Sequence, residues 1–243
     1  MASAVIVDMV RTPMGRGREG GALSGVHPVD LLAGVLRALV ERTGIDPGTV
    51  DDVLIGCVGQ NLEQSATPGR QAVLAAGFPV TVPSVTIERK CGSGQQAVDF
   101  AVQGVASGAY DIVIAGGVES MSRVPMGSAR GGADPFGPEV TARYGELIGQ
   151  GVAAELVADK WQISRNELDE YSARSHERAA AAAARGAFAD EIVPVATESG
   201  VVSVDETIRP GTSVEKLGGL RAVFGSDANR ERFPHIDWKV TAG

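Results

Sequence analysis

Cysteine, histidine and aromatic residues are all scarce in this chain: two cysteines, three histidines and 5 % aromatics among 243 residues. Cysteines so few and so differently set, Cys57 inside an apolar run and Cys91 beside glycines, make no disulfide framework. With only three histidines beside them, they also fall short of an obvious metal site, so no metal is expected. No apolar run approaches the ~20 residues of a membrane span. The start, Met1-Ala2-Ser3-Ala4-Val5-Ile6-Val7-Asp8, lacks a basic leader followed by a long apolar stretch. Lysine is scarce too, four against 18 arginines, and the net charge is −8. An acidic chain with no basic stripe and no interleaved aromatics argues against nucleic acid as a partner. The expectation is a cytoplasmic protein with no membrane and no nucleic-acid partner.

What is present is the composition of a soluble globular protein, 44 % hydrophobic and 21 % charged. Such a chain is long enough for one large domain or two modest ones. The first half alternates expected strands and helices. Strands are expected at Ala4–Met9, Val53–Val58, Pro83–Arg89 and Asp111–Gly117. Helices are expected at Pro28–Thr43, from the Thr67-Pro68 cap to Ala76, and behind Cys91. Strands that read as continuous apolar runs between helices imply a largely parallel sheet covered on both faces. From Glu119 to Tyr144 the chain is rich in glycine, proline and methionine and has no clear period, so no core element is expected there. Ser164-Arg165-Asn166-Glu167 is a capping box opening an alanine-rich helix that ends at Gly186, with Ile163 and Leu168 at the staple positions. Short strands at Glu191–Val195 and Val201–Val204 and a short helix around Ser213–Leu220 are expected to follow. The domain division expected from this is a core over 1–118, an inserted, mostly helical segment over 119–239 and a return to the core at 240–243.

The most informative stretch is Val85-Thr86-Ile87-Glu88-Arg89-Lys90-Cys91-Gly92-Ser93-Gly94-Gln95-Gln96-Ala97. It reads as a β-branched strand, a thiol at a Gly-Ser-Gly turn, and an apolar-periodic helix. A helix N-terminus favours negative charge, and an ordinary thiol is only about 3 % thiolate at pH 7 until such a field lowers its pKa. Arg89 and Lys90 are expected to add to that field, and the glycines to leave room for a substrate beside the sulfur. Cys91 is therefore the candidate nucleophile. Cys57, enclosed in Val53-Leu54-Ile55-Gly56-Cys57-Val58, reads as a small buried hydrophobe.

With this turn, Ile114-Ala115-Gly116-Gly117-Val118-Glu119-Ser120-Met121-Ser122, and Ile163-Ser164-Arg165 leading to Ser175-His176, the chain resembles the thiolases. These are the acetyl-CoA acetyltransferases and 3-ketoacyl-CoA thiolases. The likeness runs from Ala4-Val5-Ile6-Val7 and Arg11-Thr12-Pro13 to Val240-Thr241-Ala242-Gly243. It implies an α/β fold, one layered α/β/α half with a mostly parallel sheet and an inserted, mostly helical loop domain. It implies acyl transfer between acyl-CoA and CoA, with coenzyme A as a co-substrate and no permanently bound cofactor. It also implies a homo-oligomer, dimer or tetramer. Cys91 would take up the acyl group as a thioester, its own N–H contributing to an oxyanion hole. Arg209 falls where the family sets an arginine against the CoA adenine, and Lys216, Phe224 and Ala242 fall at positions lining the CoA and pantetheine channel. Gly149-Gln150 stands where short-chain members have His-Met. Gln150 is thus a substrate-side position, and the smaller pair implies a longer or bulkier acyl group.

The resemblance places the family's Gly-His-Pro histidine and its proton-transferring Cys-x-Gly cysteine in a second half that is not present here. The expectation is an amino-terminal portion without its second half, acylating slowly at best unless a complementary carboxy-terminal half supplies those groups. None of the histidines replaces them: His27 leads into the first helix, His176 lies on a solvated helix face and His235 lies in a polar loop. Two other readings stand beside this one. One is a non-catalytic CoA-binding or oligomerisation module; the other is a condensing enzyme like the ketoacyl synthases, which also place a cysteine at such a corner.

Overall fold

The computed structural model describes residues 3–243. In chain order the main elements are α1 (Pro28–Thr43), β1 (Asp52–Gly56), α2 (Pro68–Ala75), β2 (Ser84–Ile87), α3 (Ser93–Ser107) and β3 (Val113–Gly117). There follow α4 (Gly137–Tyr144), α5 (Gln150–Lys160), α6 (Arg165–Ala184), β4 (Val195–Thr197), β5 (Gly200–Val202), α7 (Val214–Gly218) and α8 (Asp227–Arg232). The chain divides into two compact units. The first holds the residues up to Gly132 together with Phe188–Thr207, and the second holds Ala133–Ala187 with Ile208–Gly243.

In the first unit the sheet order is β2-β1-β3, all parallel, with Val53 opposite Ser84 and Ile114. Side chains alternate across a strand. Val53 and Ile55 accordingly enter one apolar cluster with Leu32, Leu36, Val73 and Phe78, while Leu54 enters another with Ala97 and Ala101. Helices α1 and α2 thus cover one face and α3 the other, so the central strand is buried from Val53 to Gly56. Helix α1 matches its expected span: His27 Nδ1 accepts from Val29 N at its start, and Gly44 ends it in the left-handed conformation.

Three expectations fail in this unit. Residues 4–9 form no strand; Val5, Ile6 and Val7 are 78, 70 and 79 % exposed. β-Branched residues extend a chain, but a strand also needs a ladder partner, and none of the described residues forms a ladder with this segment. Asp8 pairs through its side chain with Arg42 at 3.0 Å, and the backbone is first paired at Arg11, which forms a bridge to Ile192, with Arg11 N donating to Glu191 O and Val193 N to Arg11 O at 2.8 Å. That engagement occupies Glu191–Val193, so the antiparallel hairpin starts later than expected, pairing Val195 with Val202. At α2, Thr67 sits at the cap position but makes no side-chain cap bond, because its left-handed φ of 57° aims the side chain elsewhere.

In the second unit, Val152, Ile236 and Trp238 form an apolar cluster with Leu156, Phe224 and Phe233 packed against it. The capping box of α6 is present in both directions: Glu167 N donates to Ser164 Oγ at 3.2 Å and Ser164 N to Glu167 Oε2 at 2.7 Å. Gly186 closes that helix with a positive φ of 75°. Arg165 pairs with Asp169 at 2.8 Å and donates to the carbonyls of Leu217 and Leu220, tying α6 to α7. Helix α4 lies in the stretch expected to hold no core element; it is eight residues long and none of them is buried. Helix α8 likewise takes the first part of the polar stretch expected to be a loop.

Candidate functional site

The turn between β2 and α3 holds Cys91 at the protein surface. Lys90, immediately before it, adopts φ 48°, a left-handed conformation that costs a non-glycine residue on the order of 1–3 kcal/mol. Ser93 holds the turn in that state: its hydroxyl accepts from Arg89 N at 2.8 Å and donates to Lys90 O at 2.6 Å. Backbone bonds from Gly92 N to Arg89 O at 3.1 Å and from Ser93 N to Lys90 O at 3.0 Å close it further. The two cations expected to bear on the thiol have partners of their own. Arg89 donates to Gln96 Oε1, and Lys90 pairs with the Glu88 carboxylate.

The turn seats on the sheet through glycines. A Cβ at Gly56, the last residue of β1, would lie 2.4 Å from the Ser93 carbonyl carbon and 2.5 Å from Gly94 N. At Gly117, the last residue of β3, it would lie 3.0 Å from Gly56 O and 3.8 Å from Gly94 Cα. The first turn of α3 therefore rests directly on the carboxyl ends of the neighbouring parallel strands, the place where ligands bind in sheets of this kind. Ser93, Gly56 and Gly117 are the supporting residues that sequence reasoning did not single out. Their signal was a glycine ending each apolar strand.

A polar cluster built on the buried side chain of Gln64 joins the loops after β1 and β3. Gln64 is fully buried; its Nε2 faces Gly59 O and Glu119 Oε1, both at 2.9 Å, and Cys57 Sγ at 3.4 Å. Its Oε1 accepts from Ser120 N at 2.7 Å. Glu119 also accepts from Val58 N and Gly59 N at 2.8 and 3.2 Å, so the loops after β1 and β3 are stitched together. Within this cluster, burial pushes the Cys57 thiol up to about 12, and the Glu119 charge adds to it.

The other sequence-selected residues lie in the second unit. Arg209 is exposed on the turn before α7, and Lys216 is exposed within α7 itself. Arg209 N donates to His176 Nδ1 at 3.2 Å, and Lys216 Nζ donates to Gly211 O at 2.7 Å. His176, expected to be solvated, is thus a half-buried acceptor, whereas His235 is exposed. Gln150 is exposed at the first position of α5. Its neighbour Gly151 lies under the half-buried Phe224 ring, where a Cβ would come within 2.1 Å of a ring carbon. Val223 N donates to Val240 O at 3.1 Å, bringing the Phe224 segment beside the one that carries exposed Ala242. Phe224, the start of α5 at Gln150 and Gly151, and the Val240–Ala242 segment are therefore brought together, and Gly243 packs against Leu217 of α7, the helix that carries Lys216.

Among the described residues, no cluster of three or more histidine, cysteine or acidic side chains could hold a metal. Among them, too, no helix is long and apolar enough to cross a membrane.

Residues 4–229 match the profile of the thiolase N-terminal domain. A steroid 3-ketoacyl-CoA thiolase of Mycobacterium tuberculosis is 46 % identical over 230 residues, covering 91 % of this chain and 56 % of the relative. A 3-ketoacyl-CoA thiolase of Bacillus subtilis is 40 % identical over 256 residues, covering all of this chain and 62 % of the relative. The crystal structure of the Bacillus anthracis acetyl-CoA acetyltransferase superposes with a TM-score of 0.79 at 38 % identity, over 93 % of this chain and 60 % of that one. The chain thus spans roughly three-fifths of the length of these relatives, between 56 and 62 %.

Proposed function

This chain belongs to the thiolase family through that family's N-terminal domain, and on that premise we propose that Cys91 is the nucleophile of a CoA-dependent acyl transfer. The sulfur attacks the 3-keto carbon of a 3-ketoacyl-CoA, and the keto oxygen becomes an alkoxide. The bond between carbons 2 and 3 then breaks. The shortened acyl group stays on sulfur as a thioester, and the two-carbon fragment takes a proton and leaves as acetyl-CoA. The thiol of an incoming CoA attacks the thioester, gives up its proton and carries the acyl group away, restoring Cys91. In the reverse direction an acetyl-enzyme meets the enolate of a second acyl-CoA. Covalent catalysis splits one difficult step into two, each needing a proton carrier. The reading assigns those carriers to a complementary carboxy-terminal half.

The observation that carries this reading is an exposed cysteine on a rigid turn at the carboxyl ends of parallel strands, in a chain of this family. The amides of Gly92 and Ser93 already bond carbonyls, so the Cys91 N–H is the one the reading assigns to the alkoxide. An oxyanion donor of that kind is worth about 3–4 kcal/mol in acyl transfer. Arg209 and Lys216 are the proposed contacts of the CoA nucleotide end, since arginine both stacks on aromatic rings and pairs with phosphate. Phe224, Gln150 and Ala242 are the proposed contacts of the pantetheine and acyl end. The Gly149-Gln150 pair supports an acyl group longer or bulkier than acetoacetyl. Residues 119–239 would be the inserted loop domain, and the working form a homo-oligomer in the cytoplasm, where two free cysteines stay reduced.

Intact mass after incubation with acetoacetyl-CoA tests this. The chain gains one acetyl group, Cys57→Ser retains that gain, and Cys91→Ser abolishes it. An adduct that persists on Cys91→Ser overturns the assignment.

A further inference from the structure

Glu155, in the middle of α5, is a carboxylate only 1 % exposed, on the helix that carries Val152 and Leu156 into the apolar cluster with Ile236 and Trp238. Burying a charge is expensive unless hydrogen bonds compensate. Here the compensation comes from main chain. Lys239 N donates to both carboxylate oxygens at 3.0 and 3.1 Å, and Val240 N donates to Oε1 at 2.8 Å. The Lys239 ammonium itself turns to Asp237 at 3.5 Å. An acceptor with two oxygens facing two successive amides sets the register of the segment they belong to, which an apolar side chain could not do.

That segment carries a second one with it. Val240 O takes the Val223 N–H, and the adjoining Phe224 ring lies over Gly151 with no room for a Cβ. Gly151 and Glu155 are four residues apart, hence neighbours on one face of α5. The glycine admits the ring, and the carboxylate fixes the Lys239–Val240 backbone.

We propose that Glu155 is a positioning residue for acyl-CoA binding: its carboxylate fixes the Lys239–Gly243 segment and, through the Val240–Val223 bond, sets where Phe224 and Ala242 stand. The proposal rests on the reading of Phe224 and Ala242 as pantetheine-side contacts. In Glu155→Gln one oxygen becomes an NH2 that meets an amide N–H, and a charged hydrogen bond is lost. Such a loss corresponds to about a tenfold change in affinity.

The experiment is CoA binding by calorimetry on the full chain, paired with the rate at which iodoacetamide alkylates Cys91. Glu155→Gln is expected to weaken the CoA Kd about tenfold and to leave the alkylation rate within about twofold, with Glu155→Asp in between. A purely structural role would leave the Kd of the folded fraction unchanged, and that result overturns the proposal. Phe224→Ala and Ala242→Trp serve as controls. If neither alters CoA binding, or if wild type binds no CoA, the underlying reading fails; if both weaken it while Glu155→Gln does not, only the positioning role fails. Should Glu155→Gln not fold, amide exchange on the wild type decides. Lys239 and Val240 amides that exchange slowly, and more slowly with CoA, support the proposal, and fast or CoA-indifferent exchange overturns it.

Discussion

Two cysteines stand just past the carboxyl ends of adjacent parallel strands, and they have opposite fates. Cys57 follows β1, donates its amide to Ile87 O of β2 at 3.0 Å, and is 1 % exposed. Cys91 lies four residues beyond that same Ile87 and is exposed. The difference is set by what comes next in the chain. After Cys57 a loop folds back over the sulfur, with Gln64 buried against it and Glu119 stitching the loop to the end of β3. After Cys91 the chain turns at once into α3, and glycines at the strand ends let that helix sit close without covering the thiol. The end of a parallel strand is thus a place where chemistry can happen, and the following segment decides whether it does.

The sharpest way to probe this pair is differential alkylation. A thiol pushed up to about 12 is thiolate in only about one part in ten thousand at pH 8, and burial blocks the reagent as well. Iodoacetamide is expected to modify Cys91 at least a hundredfold faster than Cys57, as read by peptide mass; equal rates would erase the distinction. Gln64→Ala should narrow the gap. It opens a cavity and leaves buried polar partners unpaired, destabilising the fold by about 2–4 kcal/mol in urea titration and speeding Cys57 labelling. Gly56→Ala attacks the other member. Its methyl would collide with the backbone of Ser93 and Gly94, so a loss of about 1–3 kcal/mol is expected, together with slower acylation of Cys91.

Acid gives the mildest test. The Arg11 guanidinium holds the Asp205 carboxyl below the usual carboxylate range. Backbone amides of Ala22 and Arg16 do the same for Glu206, and Arg123 for Glu63. Because these folded-state values are depressed, the stability they contribute is present above the unfolded value of about 4 and is lost as pH falls through the folded values. Cys57 labelling by an acid-tolerant disulfide reagent should therefore rise below about pH 4, and Asp205→Asn should flatten that rise. An unchanged acid profile in the variant would remove Asp205 from the account.

Much of this was legible along the chain because it is written locally. The capping box at Ser164, the α1 span with Gly44 after it, and the apolar stretches of β1 and β3 depend on neighbours a few residues apart. Cys91 was legible for the same reason, a cation-glycine turn between a strand and a helix. Residues 4–9 misled because β-branched composition describes a strand's face and says nothing about a partner for its edge. Helix α4 went unseen since it spans only eight residues in a stretch rich in glycine and proline and buries none of them. Thr67 was read as a cap from its residue type, but a left-handed backbone withdrew its side chain.

The amino-acid order by itself settled the spans of α1 and α6 and which sulfur stands at a turn. Tertiary structure alone decided that Gln64 bonds Glu119 and Ser120 across the loops after β1 and β3, and that Glu155 holds the backbone of Lys239 and Val240. The physical reason is range. Capping and periodicity act within a turn or two of chain, whereas burial, close approach at a glycine and the pairing of a buried charge exist only after distant segments meet.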